Sequence, residues 1–161
     1  MCFNVLKKKF IRKLIKENIK LCLAESITGG TLAAELIKTP GASNFLEYSL
    51  VCYGTQSKIT FLGIDKEIKK YGIISNQVSK SMVKKITKYS KSQNKLALSC
   101  TGLAGPHSEN MDELSGTVFI STKYMKKIKT LKKFYPNKKR NEIIRLTMKE
   151  MIKQGYEIIN Q

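Results

Sequence analysis

The stretch LAESITGGTLAAEL, residues 23–36, decides the fold. Its apolar beginning is typical of a buried strand, its centre of a tight turn, and its end of an amphipathic helix. Ser26, Thr28, Gly29 and Gly30 therefore lie where the edge of a sheet meets the N-terminus of a helix. Backbone N–H groups without helical partners bind anions at such a turn, and a nucleophile can be presented there.

Helical and strand-like segments alternate along the rest of the chain. The patterns predict helices over residues 1–18, 30–39, 55–64, 65–72, 75–92 and 137–159, with Ser75 as an N-cap, and strands over 19–25, 45–54, 95–102, 116–125 and 127–135. The last two strands form an antiparallel hairpin. We therefore predict a three-layer α/β/α sandwich with a mixed sheet, in a single domain over residues 1–161.

The charge and the cysteines limit the classes of protein to consider. The chain has 30 Lys and Arg but only 12 Asp and Glu, which gives a net charge of +18. The lysines are spread over nearly every segment. Without an arginine cluster, an RNA-binding motif or a helix-turn-helix signature, specific nucleic-acid binding is not favoured. The four cysteines form no C-x-x-C pair, and Cys22, Cys52 and Cys100 lie in apolar runs, as buried reduced thiols of a cytoplasmic protein would.

No apolar run is long enough to span a membrane, so no membrane partner is expected. The basic first helix lacks the continuous apolar region and the cleavage site of a signal peptide. Binding to a membrane surface and mitochondrial targeting stay open as alternative roles for it.

Several catalytic mechanisms are excluded by what the chain lacks. His107 is the single histidine, so a histidine-rich metal site is ruled out, and the acidic residues show no clustered pair. The sequence contains no ATP or dinucleotide motif, and we expect neither a metal nor a cofactor. What remains is a hydroxyl group and a lysine. Ser26 could attack an amide carbonyl if Lys58, just past the next strand, were neutral and accepted its proton.

A neutral lysine is a strong requirement, because lowering its pKa from about 10.4 to about 7 takes roughly 4–5 kcal/mol. Each candidate also has a structural alternative. Ser26 and Thr28 could merely cap the helix, Lys58 could be a solvated lysine, and Thr101 an ordinary turn residue. Cys100 is more typical of a core thiol than of a nucleophile.

Five motifs together resemble one family. AESITGG, YGTQSK, CTGLAGP, GTVFI and RNEIIR, in this order and spacing over about residues 5–158, are similar to the carboxy-terminal domain of the competence/damage-inducible protein CinA, which also occurs alone as a bacterial nicotinamide-nucleotide amidohydrolase. The chain departs from the family pattern at Thr55, where many relatives carry asparagine. It departs again over HSENMDELS, residues 107–115, where relatives are rich in glycine and proline.

The resemblance implies hydrolysis of the carboxamide of nicotinamide mononucleotide to nicotinic acid mononucleotide and ammonia, in NAD salvage. It implies Ser26 as nucleophile, Lys58 as base and Thr101 as an assisting hydroxyl, and a homo-oligomer. The substrate-binding residues it implies are Glu25, Thr28, Gly29, Gly30, Tyr53 and Gly102, with Arg140 or Arg145 for the phosphate. Two alternatives stay open: a catalytically silent paralogue that binds a nucleotide or a protein, and a factor associated with competence or DNA damage.

Overall fold

The helices and strands follow the predicted order. The structure, a computed structural model, describes residues 2–105 and 115–161. Its strands are β1 (Lys20–Glu25), β2 (Leu46–Val51), β3 (Lys95–Gly102), β4 (Thr117–Tyr124) and β5 (Lys127–Phe134). Its helices are α1 (Phe3–Lys16), α2 (Thr31–Leu36), α3 (Thr55–Leu62), α4 (Asp65–Tyr71), α5 (Asn76–Ile86) and α6 (Arg140–Ile158), with short 3-10 turns at Ala42–Asn44 and Thr87–Tyr89.

The five strands form one mixed sheet in the order β2-β1-β3-β4-β5. Strand β1 is parallel to both β2 and β3, whereas β4 and β5 are antiparallel to their neighbours. Glu25, the last residue of β1, pairs with Val51 on one side and Cys100 on the other. The three parallel strands therefore end at the same edge, where the segments that follow them can form one site.

Helices cover both faces of the sheet. Leu21 and Leu23 of β1 pack into a core with α1, α2 and α6, while Cys22 and Ala24 pack into a second core with α3, α4 and α5. This alternation follows from the two-residue period of a strand. The predicted three-layer α/β/α sandwich with a mixed sheet is confirmed.

Some predicted helix boundaries are wrong. Helix α2 ends at Leu36 rather than at residue 39, and the residue before Pro40 is sterically disfavoured in helical conformation. Helix α5 ends at Ile86 rather than at residue 92, and the hydroxyl of Thr87 donates to the carbonyl of Lys84 at 2.7 Å. The N-cap prediction is confirmed, since the amide of Val78 donates to Ser75 Oγ at 3.2 Å.

Other expectations concern the first helix and the thiols. Helix α1 buries Leu6, Phe10, Ile11 and Leu14, which anchors it to this domain. Cys22, Cys52 and Cys100 are buried free thiols, as predicted, whereas Cys2 is exposed. Over residues 2–105 and 115–161, no helix combines the length and apolar character that crossing a bilayer requires.

Candidate active site

A cavity of about 250 Å³ lies at the sheet edge where the three parallel strands end. Its walls come from the segments that follow β1, β2 and β3, from α3, from the loop before α5, and from the first residue of α6. The residues that line it are Ser26, Ile27, Tyr53, Gly54, Thr55, Lys58, Ile73, Ile74, Thr101, Gly102, Leu103, Ala104 and Arg140.

Ser26 and Lys58 meet inside this cavity. Ser26 follows β1 directly, and α3 carries Lys58 back toward the same edge after β2. The Nζ atom of Lys58 lies 2.9 Å from Ser26 Oγ, within hydrogen-bond distance. Lys58 is 0% exposed, and Ser26 is also buried. The solvated-lysine alternative is therefore excluded by the structure.

Backbone carbonyl groups hold the other side of the Lys58 nitrogen. Nζ donates to the carbonyl of Cys52 at 2.6 Å and to that of Tyr53 at 3.0 Å, and the carbonyl of Gly54 lies at 3.5 Å. Burial lowers the pKa of Lys58, because removing the ammonium from water disfavours its charged form. A neutral amine has two N–H groups, which is enough for the two shorter of these contacts.

Thr101 and Gly102 form the part of the cavity contributed by β3. Thr101 is buried and donates to the carbonyl of Ile73 at 3.0 Å, which ties the strand to the loop before α5. A Cβ at Gly102 would lie 2.6 Å from the carbonyl oxygen of Thr117. The absence of a side chain at Gly102 therefore allows β3 to approach β4 closely at the cavity wall.

Tyr53 and Arg140 stand together on another side. The guanidinium of Arg140 donates to the Tyr53 hydroxyl, and also to the carbonyl of Gly105 at 3.3 Å. Tyr53 is 55% exposed. A guanidinium group held at the rim of a cavity is suited to bind a phosphate or carboxylate group.

The prediction that the amides of Gly29 and Gly30 are free to bind an anion is wrong. The amide of Gly29 donates to the carbonyl of Ser26 at 2.9 Å, and that of Gly30 donates to the carboxylate of Glu25 at 3.1 Å. The same carboxylate accepts from the amides of Leu32 and Ala33, so it occupies the N-terminus of α2. Glu25, Gly29 and Gly30 do not line the cavity, and the bonds just described use the Glu25 carboxylate and the amides of both glycines.

Thr28 also faces the interior. Its hydroxyl donates to Glu25 at 2.7 Å and lies 3.2 Å from the sulfur of Cys100. Burial raises the pKa of the Cys100 thiol, partly opposed by the Thr28 hydroxyl and by the backbone of Ser26 and Thr28. Cys100 is therefore a core thiol, as the sequence favoured.

Arg145, the alternative phosphate ligand, lies elsewhere. It borders a groove between α1, α2 and α6 together with Phe3, Glu35 and Lys149, and it does not line the cavity at Ser26. Of the departures from the family pattern, Thr55 lines that cavity. His107 and residues 108–114 of HSENMDELS lie outside the described residues.

Sequence reasoning missed the apolar wall of the cavity and the carbonyl groups around Lys58. Ile27, Ile73 and Ile74 line the cavity. In the sequence they could not be told from core residues, because isoleucine is equally typical of a hydrophobic core. The carbonyl groups of Cys52 and Tyr53 carry no sequence signal, because every residue has a carbonyl group. The turn GIIS before α5 was the available sign that a loop returns to this edge.

Comparisons with known proteins agree with this architecture. The family model described as the CinA C-terminal domain matches residues 4–159. A CinA-like protein of Flavobacterium psychrophilum is 31% identical over 147 residues, which cover 91% of this chain and 34% of that protein. A CinA-like protein of Dictyoglomus thermophilum is 37% identical over 108 residues, covering 66% of this chain and 26% of that protein. The chain thus spans about a quarter to a third of the length of these curated relatives.

Solved structures share the fold at lower identity. The competence damage-inducible protein A of Klebsiella pneumoniae subsp. pneumoniae MGH 78578 superposes with a TM-score of 0.90 at 20% identity, covering 100% of this chain and 99% of that one. The competence/damage inducible protein CihA of Agrobacterium tumefaciens gives 0.89 at 24% identity, covering 99% and 96%. With the family model matching nearly its whole length, the chain belongs to the CinA C-terminal domain family.

Proposed function

We propose that the protein hydrolyses the carboxamide of nicotinamide mononucleotide, giving nicotinic acid mononucleotide and ammonia. The observation that carries the proposal is the 2.9 Å contact between Ser26 Oγ and the buried Nζ of Lys58. A buried lysine whose pKa is lowered is suited to accept the proton of a neighbouring hydroxyl and so to activate it as a nucleophile.

The contacts of Lys58 suit the neutral amine. In the neutral amine, the two N–H groups can donate to the two nearest carbonyl groups, those of Cys52 and Tyr53, and the lone pair can then accept the proton of Ser26. The Ser26 oxygen then bonds to the amide carbon while its proton passes to Lys58. When the tetrahedral intermediate collapses, the C–N bond breaks and Lys58 returns the proton to the leaving nitrogen as ammonia forms. Water, activated by the same amine, releases the acid from Ser26.

The walls of the cavity match the two ends of the substrate. Ile27, Ile73 and Ile74 give an apolar surface for a pyridine ring beside Ser26. Arg140 supplies the cation at the rim, where it can form a fork with the phosphate group. Thr101 lines the same cavity, and in the proposed reaction its hydroxyl would have to leave the carbonyl of Ile73 to assist Ser26.

Ammonia release from nicotinamide mononucleotide by the purified protein tests this proposal. We expect steady turnover on the mononucleotide and a much lower kcat/KM on nicotinamide riboside, which lacks the phosphate. Well-folded protein without turnover would contradict the proposal and favour the silent paralogue that binds a nucleotide. Salt-dependent DNA binding at physiological ionic strength, without turnover, would instead favour the competence-associated factor.

Replacing Arg140 by alanine tests the phosphate contact. We expect KM for the mononucleotide to rise about tenfold to 100-fold with kcat little changed, because a charge-assisted contact to an unreacting group is lost. Arg145→Ala is the matched control, since Arg145 lies in a separate groove. With nicotinamide riboside, Arg140→Ala and the parent protein should perform alike. An equal loss on both substrates would show that Arg140 does not act on the phosphate.

A further inference from the structure

Glu25 is a buried carboxylate next to the proposed nucleophile, and it does not line the cavity. We propose that Glu25 is a positioning residue, which fixes the turn that presents Ser26 to Lys58. This inference rests on the proposed function, and it gives Glu25 a task different from substrate binding.

Five donors converge on this carboxylate, which is 0% exposed. Oε2 accepts from the Thr28 hydroxyl at 2.7 Å and from the amides of Gly30 and Leu32 at 3.1 Å each. Oε1 accepts from the amide of Ala33 at 2.9 Å and from the Ser49 hydroxyl at 3.3 Å. The carboxylate therefore joins the end of β1 to the first turn of α2 by several bonds at once.

These bonds enclose Ser26 on both sides along the chain. Glu25 precedes it, and the groups that Glu25 binds begin two residues after it, at Thr28. The turn is closed by the amide of Gly29, which donates to the carbonyl of Ser26 at 2.9 Å. With both ends of the turn fixed, the Ser26 backbone has little freedom to move away from the cavity.

The backbone of Glu25 also connects to the base. Its carbonyl accepts from the amide of Cys52 at 2.8 Å, and the carbonyl of Cys52 accepts from Lys58 Nζ at 2.6 Å. Glu25 thus lies at the junction of the segments that bear Ser26 and Lys58. A small displacement of this junction would lengthen the 2.9 Å contact between the two reacting groups.

The chemistry requires a carboxylate rather than an amide at this position. All five partners donate to Glu25, and a carboxylate accepts through both oxygens. In Glu25→Gln, the new NH₂ group would face amides or hydroxyl groups that also donate. At least one set of bonds would be lost, and the turn would have to shift.

The test compares Glu25→Gln with the parent protein in kcat, in KM and in the rate at which diisopropyl fluorophosphate modifies Ser26. The last measurement needs no substrate, so it reports on the nucleophile alone. We expect kcat and the modification rate to fall about 100-fold together, with KM within about threefold of the parent value. Glu47→Gln is the matched control, because that carboxylate accepts from Ser90 away from the cavity.

Thr28→Val is a milder second variant, which keeps the shape of the side chain and removes one donor to Glu25. If Glu25→Gln does not fold, Thr28→Val should still slow the modification of Ser26 about fivefold. A folded Glu25→Gln protein with parental modification of Ser26 would overturn the inference, as would a raised KM at unchanged kcat. Parent protein that is modified at Ser26 but releases no ammonia from the mononucleotide would refute the proposed substrate alone, and slower modification in Glu25→Gln would still support positioning.

Discussion

Replacing Ser26 by alanine is expected to lower ammonia release from nicotinamide mononucleotide by about 10⁴-fold or more, because the atom that attacks the amide is removed. Ser26 Oγ is the hydroxyl within hydrogen-bond distance of Lys58 Nζ, at 2.9 Å. The fold should survive, since alanine fits the same turn and the Ser26 carbonyl still accepts from Gly29. Steady-state turnover and a thermal unfolding curve measure the two effects separately.

Ser57→Ala is the matched control for this substitution. Ser57 lies on α3 next to Lys58 in the chain, but it is half-buried, does not line the cavity, and its hydroxyl donates to the carbonyl of Gly54 at 2.8 Å. We expect Ser57→Ala to keep parental turnover. Substantial activity in a folded Ser26→Ala protein would refute Ser26 as the nucleophile and direct attention to a water attacking the amide.

The fold could be predicted from the sequence because its signals are local. The apolar strand, the glycine turn and the amphipathic helix of residues 23–36 each follow from short-range periodicity and turn chemistry. The structure confirms them, although α2 is shorter than its apolar pattern suggested. Helix ends are harder to predict, because side chains such as Thr87 compete for the last carbonyl groups.

The hydrogen-bond partners of the turn that follows β1 could not be predicted from the sequence. Sequence reasoning left the amides of Gly29 and Gly30 free to bind an anion, because nothing in the motif shows where the Glu25 side chain lies. In the structure that carboxylate lies at the N-terminus of α2 and accepts a hydrogen bond from the amide of Gly30. The phosphate group of the proposed substrate therefore needs a cation from another element of the fold. Arg140, at the start of α6, lines the cavity and can supply it.

The choice between Arg140 and Arg145 depended on how α6 is rotated. Residues five apart on a helix differ by about 140° around its axis, so both cannot face one cavity. Buried apolar residues of α6 such as Met151 and Ile152 pack against the sheet, and this packing sets the rotation of the helix. Sequence periodicity gives that apolar stripe, but not which strand end lies opposite the first turn of the helix.

Replacing Lys58 by methionine or by arginine is expected to abolish turnover, by about 10⁴-fold, for two different reasons. Methionine removes the nitrogen that accepts the proton of Ser26. Arginine keeps a cation but stays charged at every accessible pH, so it cannot act as a base. An active Lys58→Arg protein would show that charge alone is needed at this position. Lys66→Met, at an exposed lysine of α4, is the matched control and should remain active.

The pH dependence of the parent protein tests the same residue in a second way. The base works in its neutral form, so kcat/KM should rise with pH as Lys58 loses its proton. Because burial lowers the pKa of Lys58 from 10.5, the rise should be complete at a lower pH than for a solvated lysine.

The lowered pKa of Lys58 also makes the free energy of unfolding depend on pH. Between the lowered folded-state pKa and 10.5 the unfolded chain binds more protons, so the free energy of unfolding of the parent protein rises with pH relative to that of Lys58→Met. Urea unfolding of both proteins across this range measures that difference, and a difference independent of pH would contradict a lowered pKa at Lys58.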